Sequence, residues 1–221
     1  FDPAQFGEMR DAPLPVTPRA TKLQAALTDP TEPEDSGPLR ALRLGISTFM
    51  AKERIDMSAL ARELDINRAT LYRWVGSREQ FLVEMIWQLT ESSLVRLDRE
   101  CQSTGPDRII DVTIQFSEEV IGNPGMKHWL ATEGETAMSL LTRAGTGYQP
   151  RLIAWVEESI ERQVDAGNMN LPEGVEPYEL AYVIERVMGG YIYLDLITGE
   201  EPDARRAEPL LRMLLRGAEP A

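Results

Sequence analysis

Arg68, Thr70, Tyr72 and Arg73 fall within six residues, and all four side chains can donate hydrogen bonds. Arginine, threonine and tyrosine are residue types that reach phosphate oxygens and base edges. At helical spacing, Leu71 and Val75 turn to the opposite side, so a helix from Arg68 to Val75 buries its aliphatics and presents its donors. That chemistry is recognition of a polyanion rather than bond making.

The elements that must position this helix lie on either side of it. Upstream, Asp56 is placed to cap a helix whose Leu60, Ala61 and Leu64 share one face. Asp65-Ile66-Asn67 is the break between the two helices. Asp65 tolerates a left-handed turn, Ile66 re-enters the core, and Asn67 caps the second helix. Two short helices at a tight angle read as a helix-turn-helix, with the second entering a major groove. Downstream, Ser77-Arg78-Glu79-Gln80 reads as a capping box. It opens a long helix with Leu82, Ile86, Leu89, Ser93 and Leu97 along one side, ending before Gly105-Pro106.

The run Thr70-Leu71-Tyr72-Arg73-Trp74-Val75-Gly76-Ser77-Arg78-Glu79 resembles the signature of TetR-type repressors, in which T-L-Y-x-x-F-x-S-K/R-E closes the recognition helix. The likeness spans Leu39 to Leu82. Asp65 stands where that family usually has Gly, Val75 where it has Phe, and Gly76 where it has Pro. The variant Tyr-Arg-Trp-Val-Gly resembles a smaller branch, regulators of quorum-signal lactone degradation in actinobacteria. The resemblance implies that Tyr72 and Arg78 grip backbone phosphates, the helix N-terminus at Arg78 adding amide donors. Arg68, Thr70 and Arg73 are then the expected base readers, and Ser58 and Asn67 complete the set facing double-stranded operator DNA. Trp74 is expected to pack between this head and the long helix.

The chain has 221 residues, 43% of them hydrophobic, and a formal charge of −13. It can bury a core, and its charge argues against coating nucleic acid nonspecifically. Residues 37 to 80 nevertheless carry eight cations against five carboxylates, a surplus of three that leaves −16 for the rest. A mildly basic head on an acidic body suits a repressor whose body is held off DNA, and speaks against an architectural DNA-coating protein. Cys101 is the only cysteine, so no intrachain disulfide can form and a reducing cytoplasm is the expected home. No run approaches a membrane span, and no membrane partner is expected. His128 is the only histidine and cannot build a histidine-rich metal site, and no cofactor is expected. With no G-x-S-x-G elbow, phosphate loop or paired metal motif, the chain is expected not to be an enzyme. The alternative is a small-molecule-binding helical protein, or an enzyme lacking a recognisable catalytic motif.

The expected architecture is all-α: a three-helix helix-turn-helix head on a larger helical body. Residues 1–36 form a proline-rich arm, with a short helix capped by Thr17, opened by Pro18, edged by Leu23, Ala26 and Leu27, and ending before Asp29-Pro30. A flexible arm is the alternative, and Arg10, Arg19 and Lys22 leave a DNA contact open to it. Residues 37–82 are the DNA-binding domain, whose first helix carries Leu39, Leu42, Ile46 and Phe49 as its buried stripe. Residues 83–221 are the ligand-binding and dimerisation domain. Its helices are expected at Asp107–Ile121, Pro124–Glu133, Glu135–Arg143, Pro150 to Ala166, Pro177 to about Thr198, and Asp203–Arg216.

Within that body, Phe116, Met126, His128, Trp129, Leu130, Met138, Leu141, Trp155, Met188 and Tyr191 are the candidate lining of an effector cavity, where the resembled family holds its ligand between helices. Core packing competes as an explanation for the aromatic and Met cluster, and a structural hydrogen bond for His128. The lining suits a small, mostly apolar effector, and the resemblance makes a lactone with an acyl or alkyl chain the specific expectation. Gly189-Gly190 interrupts an apolar helix, which another helix approaching closely would explain, as would intrachain packing or a kink. The resemblance implies a homodimer through a four-helix bundle of this helix and the one opening at Pro150.

Overall fold

The computed structural model describes residues 20–215, and among them every regular element is helical. The head contains α1 (Lys22–Thr28), α2 (Gly37–Met50), α3 (Met57–Glu63) and α4 (Arg68–Val75). Thr21, rather than Thr17, caps α1, because Gln24 stands at the third helical position and completes a capping box at 2.9 and 3.1 Å. Thr17 and Pro18 lie outside the described residues. Leu23 is fully buried and α1 packs on α2 and α4, so this stretch is part of the head rather than a free arm.

The helix-turn-helix forms for the expected reasons. The Asp56 carboxylate accepts from the amides of Ser58 and Ala59 at 2.8 Å, and the Asn67 side chain accepts from Thr70 at 2.7 Å. Asp65 adopts φ +55° between them. Gly76 closes α4 at φ +77°, ψ −152°, a region open essentially only to glycine and closed to proline, whose ring fixes φ near −65°. The turn therefore differs in shape from that of a relative with Pro at this place.

One expectation inside the head changes. The buried stripe of α2 is Ala41, Leu42, Gly45 and Phe49, while Leu39 and Ile46 are only half-buried. A Cβ on Gly45 would lie 2.6 Å from the Phe81 ring and 2.7 Å from the Met85 sulfur. Small residues let the next helix approach there, a packing effect that hydrophobic spacing does not register. Trp74 covers Gly37 at the start of α2.

The body comprises α5 (Arg78–Glu100), α6 (Gly105–Gly122), α7 (Pro124–Thr142), α8 (Tyr148–Asp165), α9 (Pro177–Ile192), α10 (Leu194–Thr198) and α11 (Glu208–Leu215). Short 3-10 turns at Ala144–Thr146 and Ala204–Ala207 precede α8 and α11. The Ser77–Gln80 box opens α5, which is buried on all sides from Phe81 to Trp87. That run includes Glu84, whose carboxylate receives Arg151 of α8 at 2.9 and 2.7 Å and Gln24 of α1 at 2.7 Å. The break expected after Glu133 is a kink within α7, with Glu133 at φ −134°, ψ 37°. The helix expected to reach Thr198 instead breaks at Tyr193. Tyr193 stands at φ −105°, ψ 26°, and Ile192, Tyr193 and Leu194 are all buried at the break.

If the α2–α5 approach depends on the missing Cβ, Gly45→Leu should lower stability by about 2 kcal/mol through overpacking. Urea denaturation checks this, and an unshifted midpoint would show that the two helices can part without cost.

Candidate DNA interface and effector cavity

On α4, Arg68 donates to the Tyr72 hydroxyl at 3.0 Å and lies over its ring at 5.3 Å, while Arg73 approaches the Thr70 hydroxyl at 3.4 Å. These contacts, one helical turn apart, hold the four donors together on one helix. Arg68 and Arg73 are exposed, and Thr70 and Tyr72 half-buried. Ser58 and Asn67 are also exposed, the Asn67 side-chain oxygen being occupied by its cap.

Arg78 points elsewhere. Its Nε donates to the Ile55 carbonyl at 2.7 Å and a terminal nitrogen to Glu133 at 2.7 Å. Both side chains are largely shielded, at 17% and 16% exposure, and Arg54 reaches the same carboxylate at 3.5 Å. The guanidinium expected at a phosphate thus joins the head to the kink of α7. Beside it, Trp129 meets Phe49 edge-on at 6.0 Å, and Gly125 lets α7 rest on the Phe49 ring, where a Cβ would lie 2.6 Å away. His128 borders the same narrow cleft, and the Trp129 indole nitrogen is buried without a partner.

Two neighbouring chambers occupy the body. The outer one, about 90 Å³, is lined by residues that include Ile86, Leu89, Thr90, Glu119, Asn123 and Met126. The inner one, about 40 Å³, lies among α5, α6, α8 and α9, and Phe116, Val120 and Tyr148 border both. Of the expected lining, Phe116, Met126, Trp155 and Met188 reach the chambers. Trp129 and His128 lie at the seam with the head, and Leu141 is in the core. Leu130 and Met138 pack half-buried against that core, and Tyr191 lies beneath Arg206 at 5.7 Å. A cluster of apolar residues on α7 could not disclose which face of that helix turns to the head.

The polar lining escaped sequence reasoning. Thr90, Thr113, Ser117, Tyr148, Glu185 and Tyr193 all border the chambers. One signal was available: Thr113 and Ser117 stand four apart in the apolar run of α6, and Glu185 follows Ile184 and precedes Met188 on the buried face of α9. The Tyr148 and Thr90 hydroxyls bond at 3.0 Å. Burial pushes the Tyr148 phenol up to about 12, and burial raises Tyr193 well above the ordinary range, the Tyr148 phenolate that forms only at high pH and Glu185 adding to it. Both phenols therefore remain neutral at physiological pH. Burial also raises the Glu185 carboxyl, although Arg186 opposes the shift.

Residues 104–216 match the family described as tetracyclin repressor-like, C-terminal domain. The chain belongs to the TetR family. Among solved structures, this TetR-family protein is similar to the R. erythropolis transcriptional repressor QsdR, with 28% identity over 83% of this chain and 96% of that one, at a TM-score of 0.74. It shares its fold with E. coli NemR in its reduced form, with 18% identity over 84% of this chain and all of that one, at a TM-score of 0.54. No curated protein matches the chain. The protein is thus a QsdR-like transcription regulator of the TetR family rather than an enzyme. No described helix is long and apolar enough to cross a membrane.

An ion pair this shielded should show coupling. Arg78→Ala and Glu133→Ala should each destabilise the fold, and the double variant should recover about 1–2 kcal/mol of the summed loss. Arg78→Ala should also leave the salt dependence of DNA binding unchanged. Additive losses would dismiss the pair, and a salt slope reduced by about one unit would return Arg78 to a phosphate.

Proposed function

We propose that this TetR-family regulator is a homodimeric repressor that binds a palindromic operator and is released by a small, mostly apolar effector in the chambers of its body. The observation that carries this reading is the path of α5. Its first residue, Arg78, is fastened to the head through the Ile55 carbonyl, and Ile86, Leu89, Thr90 and Leu94 farther along the same helix line the chambers. A pocket enclosing a drug-sized ligand measures roughly 300–1,000 Å³, so an effector filling chambers of about 90 and 40 Å³ has to part the surrounding helices. Parting them moves α5, and with it the recognition helix. Two such helices must enter successive major grooves about 34 Å apart, so a displacement of a few ångströms loses one of them. An effector that prefers the displaced state a hundredfold supplies roughly 2.7 kcal/mol per site.

On the DNA side, Tyr72 serves phosphates, Arg68, Thr70 and Arg73 read bases, and Ser58 and Asn67 flank them. A reducing cytoplasmic setting fits the lone Cys101, which is half-buried. The lactone candidate rests on the resemblance of Tyr72-Arg73-Trp74-Val75-Gly76 to regulators of lactone degradation, and the apolar walls suit an acyl or alkyl chain. Selection of bound sequences from random DNA supplies the operator for the test. An acyl or alkyl lactone should then release that operator over the same concentration range in which it changes the fluorescence of Trp155, which lines the inner chamber. A lactone panel that alters neither would remove this effector class.

For the dimer, α9 offers Tyr178, Tyr182 and Val183 to solvent, at 40–49% exposure, and beyond its own helix backbone no described residue approaches within 4 Å of the Cβ position of Gly190. Nearby α8 shows an acidic surface, where Glu157 is raised first by burial and then by Glu161, Glu158 and Glu179. The apolar strip of α9 is therefore the better contact with a second copy. Gly190→Leu, harmless within one chain, should produce monomers with weakened operator binding. Sedimentation decides, and an intact dimer would displace the contact from Gly190.

A further inference from the structure

The chambers are lined by two carboxylates and no cation: Glu119 in the outer chamber and Glu185 in the inner one. Arg96 answers Glu119 near the surface. Glu185 is answered on one side only. Its Oε2 accepts from Gln149 at 3.3 Å, from Arg186 Nε at 2.7 Å and from a second Arg186 nitrogen. Its Oε1 has no donor among the described residues, and lies 3.9 Å from the Cβ position of Gly189, itself part of the wall. A carboxylate oxygen carries lone pairs that seek donors, so Oε1 is an acceptor held ready beside the chamber. The Tyr193 hydroxyl, also on that wall, has no hydrogen-bond partner among the described residues. Phe116, Leu152, Trp155, Ile184 and Met188 make the remainder apolar.

We infer that the inner chamber selects effectors whose apolar chain ends in an uncharged or cationic group bearing an N–H or O–H, and rejects carboxylates, with Glu185 as the discriminating residue. This rests on the effector reading above and adds its chemical class. A donor placed at Oε1 forms a charge-assisted hydrogen bond, with Tyr193 available to the carbonyl or hydroxyl oxygen beside it. A group without a donor displaces water from Oε1 and leaves it unpaired. An anion meets the Glu185 carboxylate in a poorly solvated site where Arg186 is already committed to the far oxygen, Oε2, and no lysine or arginine lines the wall. For a lactone effector, the donor requirement favours one whose acyl chain is joined through an amide N–H over one with a plain alkyl chain, and the charge excludes the hydroxy acid formed when water opens the ring.

Calorimetry of the full chain at pH 7.5, with octanamide, octylamine, methyl octanoate and octanoate as probes, tests this. Octanamide and octylamine should bind, methyl octanoate should be about tenfold weaker, and octanoate should bind most weakly of the four. In Glu185→Gln, octanoate should gain at least tenfold and octylamine lose about as much, a gain that a damaged fold cannot imitate. The wild-type ranking stands as a test even if the variant fails to fold. Octanoate binding as tightly as octanamide, or a ranking unchanged by Glu185→Gln, would overturn the selectivity and leave the chamber as an effector site. Absence of binding by all four probes would remove the chamber reading itself, and the selectivity with it.

Discussion

A carboxylate taken out of water has to be answered by charge and hydrogen bonds, and Glu84 imposes that demand on head and body together. It is 3% exposed at the centre of the stretch of α5 that is buried on every side. Arg151 meets it with two nitrogens from α8, and Gln24 closes the remaining approach from α1. The Arg151 guanidinium in turn lies over Trp87 at 5.3 Å. Removing one partner from a buried pair generally costs about 3–5 kcal/mol, toward the lower end where one partner keeps some solvent, as Arg151 does. One residue thereby constrains an N-terminal helix, the helix linking head to body, and a helix of the cavity wall.

That constraint gives the regulatory geometry its stiffness. Helix α5 cannot slide along its own axis without separating Glu84 from α1 and α8, so displacement by an effector has to tilt it or move its neighbours. The seam responds at a different place. Arg78, Glu133, Phe49 and Trp129 connect the start of α5 and the end of α2 to α7 at its kink. Packed interfaces of this kind favour discrete arrangements over continuous deformation, because close-packed side chains have few alternative fits. Similarity to QsdR over nearly the whole of that protein agrees with a common helical framework. Within that framework, the otherwise apolar chamber walls carry carboxylates at Glu119 and Glu185 and phenols at Tyr148 and Tyr193.

The helix-turn-helix was legible residue by residue because its determinants are local. Caps at Asp56, Asn67 and Ser77 act over two or three residues, and the left-handed turn at Asp65 is a property of that residue and its neighbours. The break near Glu133 was legible for the same reason, since Gly134 follows it. Contacts across the fold were not legible. Arg78 meets a carboxylate 55 residues away, and Glu84 an arginine 67 residues away. A family signature that assigns Arg78 to a phosphate contains nothing about Glu133.

From its sequence alone, this protein's helical class and the helix-turn-helix that ends in Arg68–Val75 were determined, because short-range hydrogen bonds and helical periodicity decide them. Tertiary structure alone decided which side of each body helix meets a cavity. It drew Trp129 to the seam and left Phe116, Trp155 and Met188 at the chambers, although all four are large apolar residues in helices. It also gathered Tyr148, Glu185 and Tyr193, from two helices and the break after the second, around one small space. The physical reason is that burial rewards any apolar face equally, whereas a cavity and its unpaired acceptors exist only where several helices fail to fill the space between them.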